Sequence, residues 1–172
     1  MSFRARSSLL SLLCLSLLGC WISAASAQAP KTIGQQIVGT WSLVSVYNIQ
    51  PDGSKIFPNG ANSRGRAIFD AKGNVAVQLI NPEIPKLASN NRLQGTAEEN
   101  KAVAQGVLSW FGTYTVDEAK KTVTFKIEAS SFPNQVGTAS ERAVTISGDD
   151  LQWITQGAPA GGVAYNSWKR VK

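Results

Sequence analysis

The sequence predicts an all-β fold, a closed antiparallel barrel of eight strands with one short helix inserted mid-chain. Three observations carry that prediction. Eight short runs rich in Val, Ile, Thr and aromatic residues recur along the chain, separated by Gly, Pro, Asn and Asp turns. That rhythm belongs to a sandwich or barrel rather than to a parallel sheet. The run Thr122 to Ala129 alternates cleanly, with Val123, Phe125 and Ile127 on one face and Thr122, Thr124, Lys126 and Glu128 on the other. One face therefore meets a core and the other meets water. Eight is also the strand number at which a barrel interior either just fills with side chains or holds one small ligand.

The chain opens with an export signal rather than with the fold. Arg4 and Arg6 form a positive start, Leu9 to Ile22 is apolar but too short to cross a bilayer comfortably, and Ala25-Ser26-Ala27 is a small-x-small cleavage pattern. The expectation is a signal peptide over residues 1–27 and a folded domain over 28–172, periplasmic or secreted. An alternative sits inside the signal: Leu17-Leu18-Gly19-Cys20 is similar to a lipobox, which would anchor a lipoprotein through Cys20.

Ile37 to Ile49 is the first strand, opened by Gly39-Thr40-Trp41. A buried Trp needs a large wall and a partner for its indole N–H, which suits the floor of a barrel. Pro51-Asp52-Gly53 is a turn, Pro fixing φ and Gly accepting a positive one. Gly65 to Asp70 and Asn74 to Ile80 flank Ala71-Lys72-Gly73 as a tight hairpin. Asn81-Pro82 and Ile84-Pro85 stop the sheet pattern, and Thr96-Ala97-Glu98-Glu99 is a capping box. The helix it starts runs from about Ala97 to Val107, with acidic residues where the macrodipole favours them. It is too short to stand alone, so it packs on the sheet or across a barrel mouth. Strands then follow over Trp110 to Asp117, Thr122 to Ala129, Ala139 to Ser147, Leu151 to Thr155 and Val163 to Val171.

Composition removes several chemistries. There is no histidine, and both cysteines, Cys14 and Cys20, lie in the signal. The domain therefore has no Ser-His or Cys-His pair, no thiolate metal site and no disulfide. No cofactor and no metal are expected. The formal charge is +6, but the basic residues are scattered without interleaved aromatics, which argues against nucleic acid. No membrane-spanning segment is expected once the signal is removed, and the domain is expected to be a monomer or weak dimer.

Ile37-Val38-Gly39-Thr40-Trp41-Ser42-Leu43 resembles the Gly-x-Trp opening of the lipocalins and their calycin relatives. More specifically, the domain resembles the bacterial and fungal lipocalin-like domain family. The shared elements are Gly39-Thr40-Trp41, Pro51-Asp52-Gly53, Gly65 to Gly73, the Thr96 helix and Trp168-Lys169-Arg170. The resemblance implies a basic residue stacked on the Trp, and Arg170 is a better stacker than Lys169. Gly39, Trp41 and Arg170 are thus the expected barrel closure. The helix departs from the lipocalin pattern, where it follows the strands, so lipocalin ligand residues do not transfer.

The ligand-binding candidates are Tyr47, Arg66, Phe69, Trp110, Tyr114, Phe125 and Trp153, set against ordinary core packing. Tyr47 continues the period-2 face of Trp41, so both point inward if either does. Arg64, Arg66 and Arg142 lie in strands, where an exposed face is the default, and an inward arginine would point to a carboxylate-bearing ligand. The first functional reading is an exported, non-enzymatic lipocalin-like barrel binding a small hydrophobic or amphipathic molecule. The alternatives are a small-barrel isomerase or cyclase using Tyr, Arg or carboxylate groups, and a ligand-free structural envelope protein.

Overall fold

The computed structural model describes residues 30–172. The expected signal, with its cleavage site and the Cys20 lipobox, lies outside the described residues.

Eight long strands form the barrel wall in sequence order: β1 (Gly39–Ile49), β3 (Arg64–Phe69), β4 (Asn74–Ile80), β5 (Val107–Asp117), β6 (Thr122–Ser130), β7 (Ala139–Ser147), β8 (Asp150–Thr155) and β9 (Val163–Arg170). A two-residue strand, β2 (Lys55–Ile56), pairs with the end of β1. Every neighbouring pair is antiparallel, and β1 pairs with β9 from Trp41↔Arg170 to Ile49↔Val163, which closes the ring. The expected eight-stranded barrel is therefore present, with the strand bounds shifted by a few residues at their ends.

The mid-chain helix, α2 (Ala97–Gly106), starts where the capping box placed it. Thr96 accepts from the Glu99 amide, and the Glu99 carboxylate accepts from the Thr96 amide. A second helix, α1 (Ile33–Ile37), corrects the sequence expectation, which draws Ile37 into the first strand. Thr32 and Gln35 form the same reciprocal cap around its first turn. Its free amides are also held from a distance: Ile33 and Gly34 donate to the two carboxylate oxygens of Glu118 at 2.9 and 2.8 Å. Those amides hold the Glu118 carboxyl below its ordinary pKa of 4.5. A depressed carboxyl stabilises the fold above its unfolded pKa and loses that contribution as pH falls through the folded value. The Ile33 and Gly34 amide NMR signals are expected to move together on acidification, with a midpoint below 4.5. Glu118→Gln should abolish that titration; persistence in the variant would refute the contact.

The interior divides into two halves. At one end Trp41, Phe69, Tyr114, Val123, Phe125, Leu151 and Trp168 are buried and fill the barrel. Phe125 lies at the centre of this packing, 5.3 Å from Trp110, 5.7 Å from Trp153 and 6.1 Å from Phe69 between ring centroids. Trp153 and Trp168 follow at 4.7 Å. Tilted and edge-on contacts dominate, the arrangement ring quadrupoles favour. The other end is open.

Candidate functional site

The closed end accounts for the Gly-Thr-Trp triplet. Trp41 is fully buried, and its indole N–H donates to the Ile37 carbonyl at 2.8 Å, so α1 supplies the partner the ring needs. Arg170 lies over the ring with its guanidinium carbon 4.1 Å from the centroid. The same guanidinium donates to the carbonyls of Val38, at 2.9 Å, and Gln36. Gly39 has φ +132°, and a Cβ there would meet Nη1 of Arg170 at 2.9 Å. Glycine is needed both for the backbone and for the space the guanidinium occupies. Gly39, Trp41 and Arg170 therefore form one closure, with Arg170 rather than Lys169 on the indole; Lys169 instead pairs with Asp150 at the surface.

The open end holds a cavity of about 630 Å³. Val46 and Asn48 of β1, Val77 and Leu79 of β4, Val107, Leu108 and Trp110 of β5, Trp153 and Thr155 of β8, and Ala164 and Asn166 of β9 line its walls. Its rim comprises Ile56, Pro58 and Asn59, Ala104 and Gln105 at the end of α2, Ser131 to Pro133 with Gln135, and the 158–160 loop. The helix thus lies at the barrel mouth. Asn48 is buried and donates to the Gly161 carbonyl at 2.7 Å, tying β1 to the loop before β9.

The seven proposed ligand residues separate into three groups. Trp110 and Trp153 line the cavity. Phe69, Tyr114 and Phe125 belong to the packed half below it; the Tyr114 hydroxyl donates to the Asp70 carbonyl at 2.7 Å, and burial pushes its pKa up. Tyr47 and Arg66 need correction, because both face outward. The pairing of β1 with β9 shifts register between Leu43 and Ser45, a bulge that reverses the strand's phase. Val46 and Asn48 then take the inward positions, and Tyr47 stacks outside on Tyr165 at 5.2 Å with Lys55 over its ring. On β3, Ala67 and Phe69 are buried, so Arg66, an odd number of residues from Phe69, projects from the opposite face. With Arg64, Ser42 and Gln78 it lines an outer groove of about 510 Å³.

The inward arginine is Arg142. On β7 it follows the phase of Val144, is 8 % exposed and lines the cavity. Its guanidinium carbon lies 4.7 Å from the Phe125 centroid, 5.4 Å from Trp110 and 6.0 Å from Trp153. Burial lowers its pKa to about 10, still well above neutrality, so it remains a cation. Its protein hydrogen bond is a long one, Nε to Ser140 Oγ at 3.4 Å. Among the described residues the ion pairs involve other cations, Lys120, Lys169, Arg170 and Lys172. The sequence gives Arg142 an exposed strand face by default; its inward position on β7, in phase with Val144, corrects that expectation.

Comparison with known proteins places this architecture. The family model for the lipocalin-like domain matches residues 38–170. A 4'-hydroxy-3'-methoxypropiophenone carrier protein of Aspergillus oryzae is 33% identical over 87 residues, which span 47% of this chain and 78% of that protein. Among solved structures, the wild-type fluorescent protein UnaG matches with a TM-score of 0.38 and 13% identity, over 79% of this chain and 98% of that one. Two variants of UnaG give the same TM-score.

Proposed function

The chain belongs to the lipocalin-like domain family, and from that premise we propose that it binds and carries a small amphipathic molecule in the open half of its barrel after export. The observation that carries this reading is the cavity, whose volume of about 630 Å³ falls within the range of small-molecule sites. Its walls are mostly apolar, with a few buried polar groups, Asn48, Arg142, Thr155 and Asn166, able to fix a ligand's orientation. A ligand that places about 200 Å² of apolar surface on such walls gains about 5 kcal/mol, at about 25 cal/mol per Å², before the cost of orienting it. The Aspergillus oryzae relative, a carrier protein for 4'-hydroxy-3'-methoxypropiophenone, a small aromatic ketone, supports the same class.

The cavity also weighs against the two alternatives. A filled structural barrel does not leave such a space. An isomerase or cyclase working by proton transfer needs an acid and a base within reach of the substrate; among the described lining residues Arg142 is the one charged side chain.

Native mass spectrometry of protein purified from its host tests the reading. The expected spectrum shows a chain starting at Gln28 that carries an extra small mass, lost on denaturation. A chain starting at a lipidated Cys20 would replace free export with anchorage. Repeated spectra of the bare chain, together with no enhancement of a neutral hydrophobic fluorophore, would refute the carrier reading.

A further inference from the structure

We propose that Arg142 is the anchor for a single carboxylate on the bound molecule, so that the ligand is an organic acid with an apolar body. This inference rests on the carrier reading and narrows it to a chemical class.

The argument begins with what Arg142 lacks. A guanidinium presents five N–H donors in one plane and stays charged when buried. At 8 % exposure Arg142 gives one long hydrogen bond to Ser140 and has no carboxylate partner among the described residues. Phe125, Trp110 and Trp153 surround it and offset part of its desolvation through their ring faces. A ring face attracts a cation but supplies no in-plane lone pair, so the edge donors remain available to whatever enters the cavity.

The contrast with Arg170 sharpens the point. There the guanidinium also covers an indole, yet it is held by two backbone carbonyls and lies 3.7 Å from Asp149. The fold can satisfy a half-buried arginine, and at the more deeply buried Arg142 it leaves the partner's place to the cavity.

The ligand class follows from charge and shape. One cation among apolar walls matches one negative charge. A phosphate monoester, closer to two charges at neutral pH, would bury one unpaired. A carboxylate is planar and accepts the guanidinium fork through both oxygens. The rest of the molecule meets Val77, Leu79 and Leu108 toward the mouth.

Competition against the neutral fluorophore N-phenyl-1-naphthylamine tests this directly, with decanoate and decanamide as competitors of equal length. On the wild type, decanoate is expected to displace the fluorophore at a concentration at least tenfold below decanamide. In Arg142→Met the ratio should fall to about one while fluorophore binding persists, which also reports that the variant folds. Arg142→Lys, which keeps the charge without the fork, should retain part of the preference. Equal displacement by the two competitors on the wild type, or a preference that survives in Arg142→Met, overturns the inference and leaves the carrier reading intact. A wild type that fails to bind the fluorophore overturns the carrier reading, and this inference with it.

Discussion

Trp41→Ala is expected to lower the unfolding free energy by about 4 kcal/mol, the size typical of deleting a fully buried large aromatic. Three losses coincide there. The ring is 0 % exposed, so its removal leaves a cavity between β1 and the closed-end core. The Ile37 carbonyl loses its indole donor, which loosens α1. The Arg170 guanidinium loses the face it covers at 4.1 Å and with it about 1 kcal/mol of cation–π attraction. A domain of this size has on the order of 5–15 kcal/mol in total, so the variant should melt roughly 10 °C lower or fail to accumulate. Trp41→Phe keeps the plug and loses the N–H, and should cost about half as much. Phe111, which is 53 % exposed, supplies the control. If Trp41→Ala melts no lower than Phe111→Ala, the closed end is not what holds the barrel shut.

That closure was legible because several levels of the sequence agreed on it. Gly39 before Trp41 and Arg170 after Trp168 occupy the two ends of the chain that the ring joins, and the pairing Trp41↔Arg170 brings them together. The α2 start was legible for the same reason, since Thr96 and Glu99 serve as both composition and hydrogen bonds. Thr32-Ile33-Gly34-Gln35 carries an equivalent signature, masked by the β-rich run after it, which draws Ile37 into the strand pattern. The site was less legible. Tyr47 was misplaced because period-2 reasoning assumes an unbroken strand, and nothing in Leu43-Val44-Ser45 announces the bulge that reverses it. Arg66 was a different error, since Phe69 and Arg66 are three residues apart and cannot share a face of one regular strand. The same rule applied to β7 finds the inward arginine: Val144 and Ile146 fix the inward phase, and Arg142 falls on it. Where the cavity stops could not be read at all, because it depends on how far up the barrel Phe125, Trp153 and Phe69 pack, a property of three strands together.

Ala164→Trp should abolish binding, weakening the affinity for N-phenyl-1-naphthylamine by about a hundredfold or more. Ala164 is 8 % exposed, points inward on β9 and lines the open half. In register it lies opposite Asn48 on β1 and Thr155 on β8, both of which also line the cavity. An indole at that point takes the volume a ligand needs and covers the apolar walls that would attract it. Overpacking usually costs 1–3 kcal/mol because a core has no room; here the room exists, so stability should change by less than about 1 kcal/mol. The separation of the two effects is what gives the variant its force. Trp41→Ala acts on the folded ensemble as a whole, whereas Ala164→Trp acts on the void alone. The outer groove beside Arg64 and Arg66 provides the competing location, about 510 Å³ on the far side of the wall. A ligand seated there would be indifferent to Ala164→Trp and sensitive to Arg66→Glu. Undiminished fluorophore binding in Ala164→Trp, with loss in Arg66→Glu, would move the site from inside the barrel to its surface and remove the basis for assigning Arg142 any ligand.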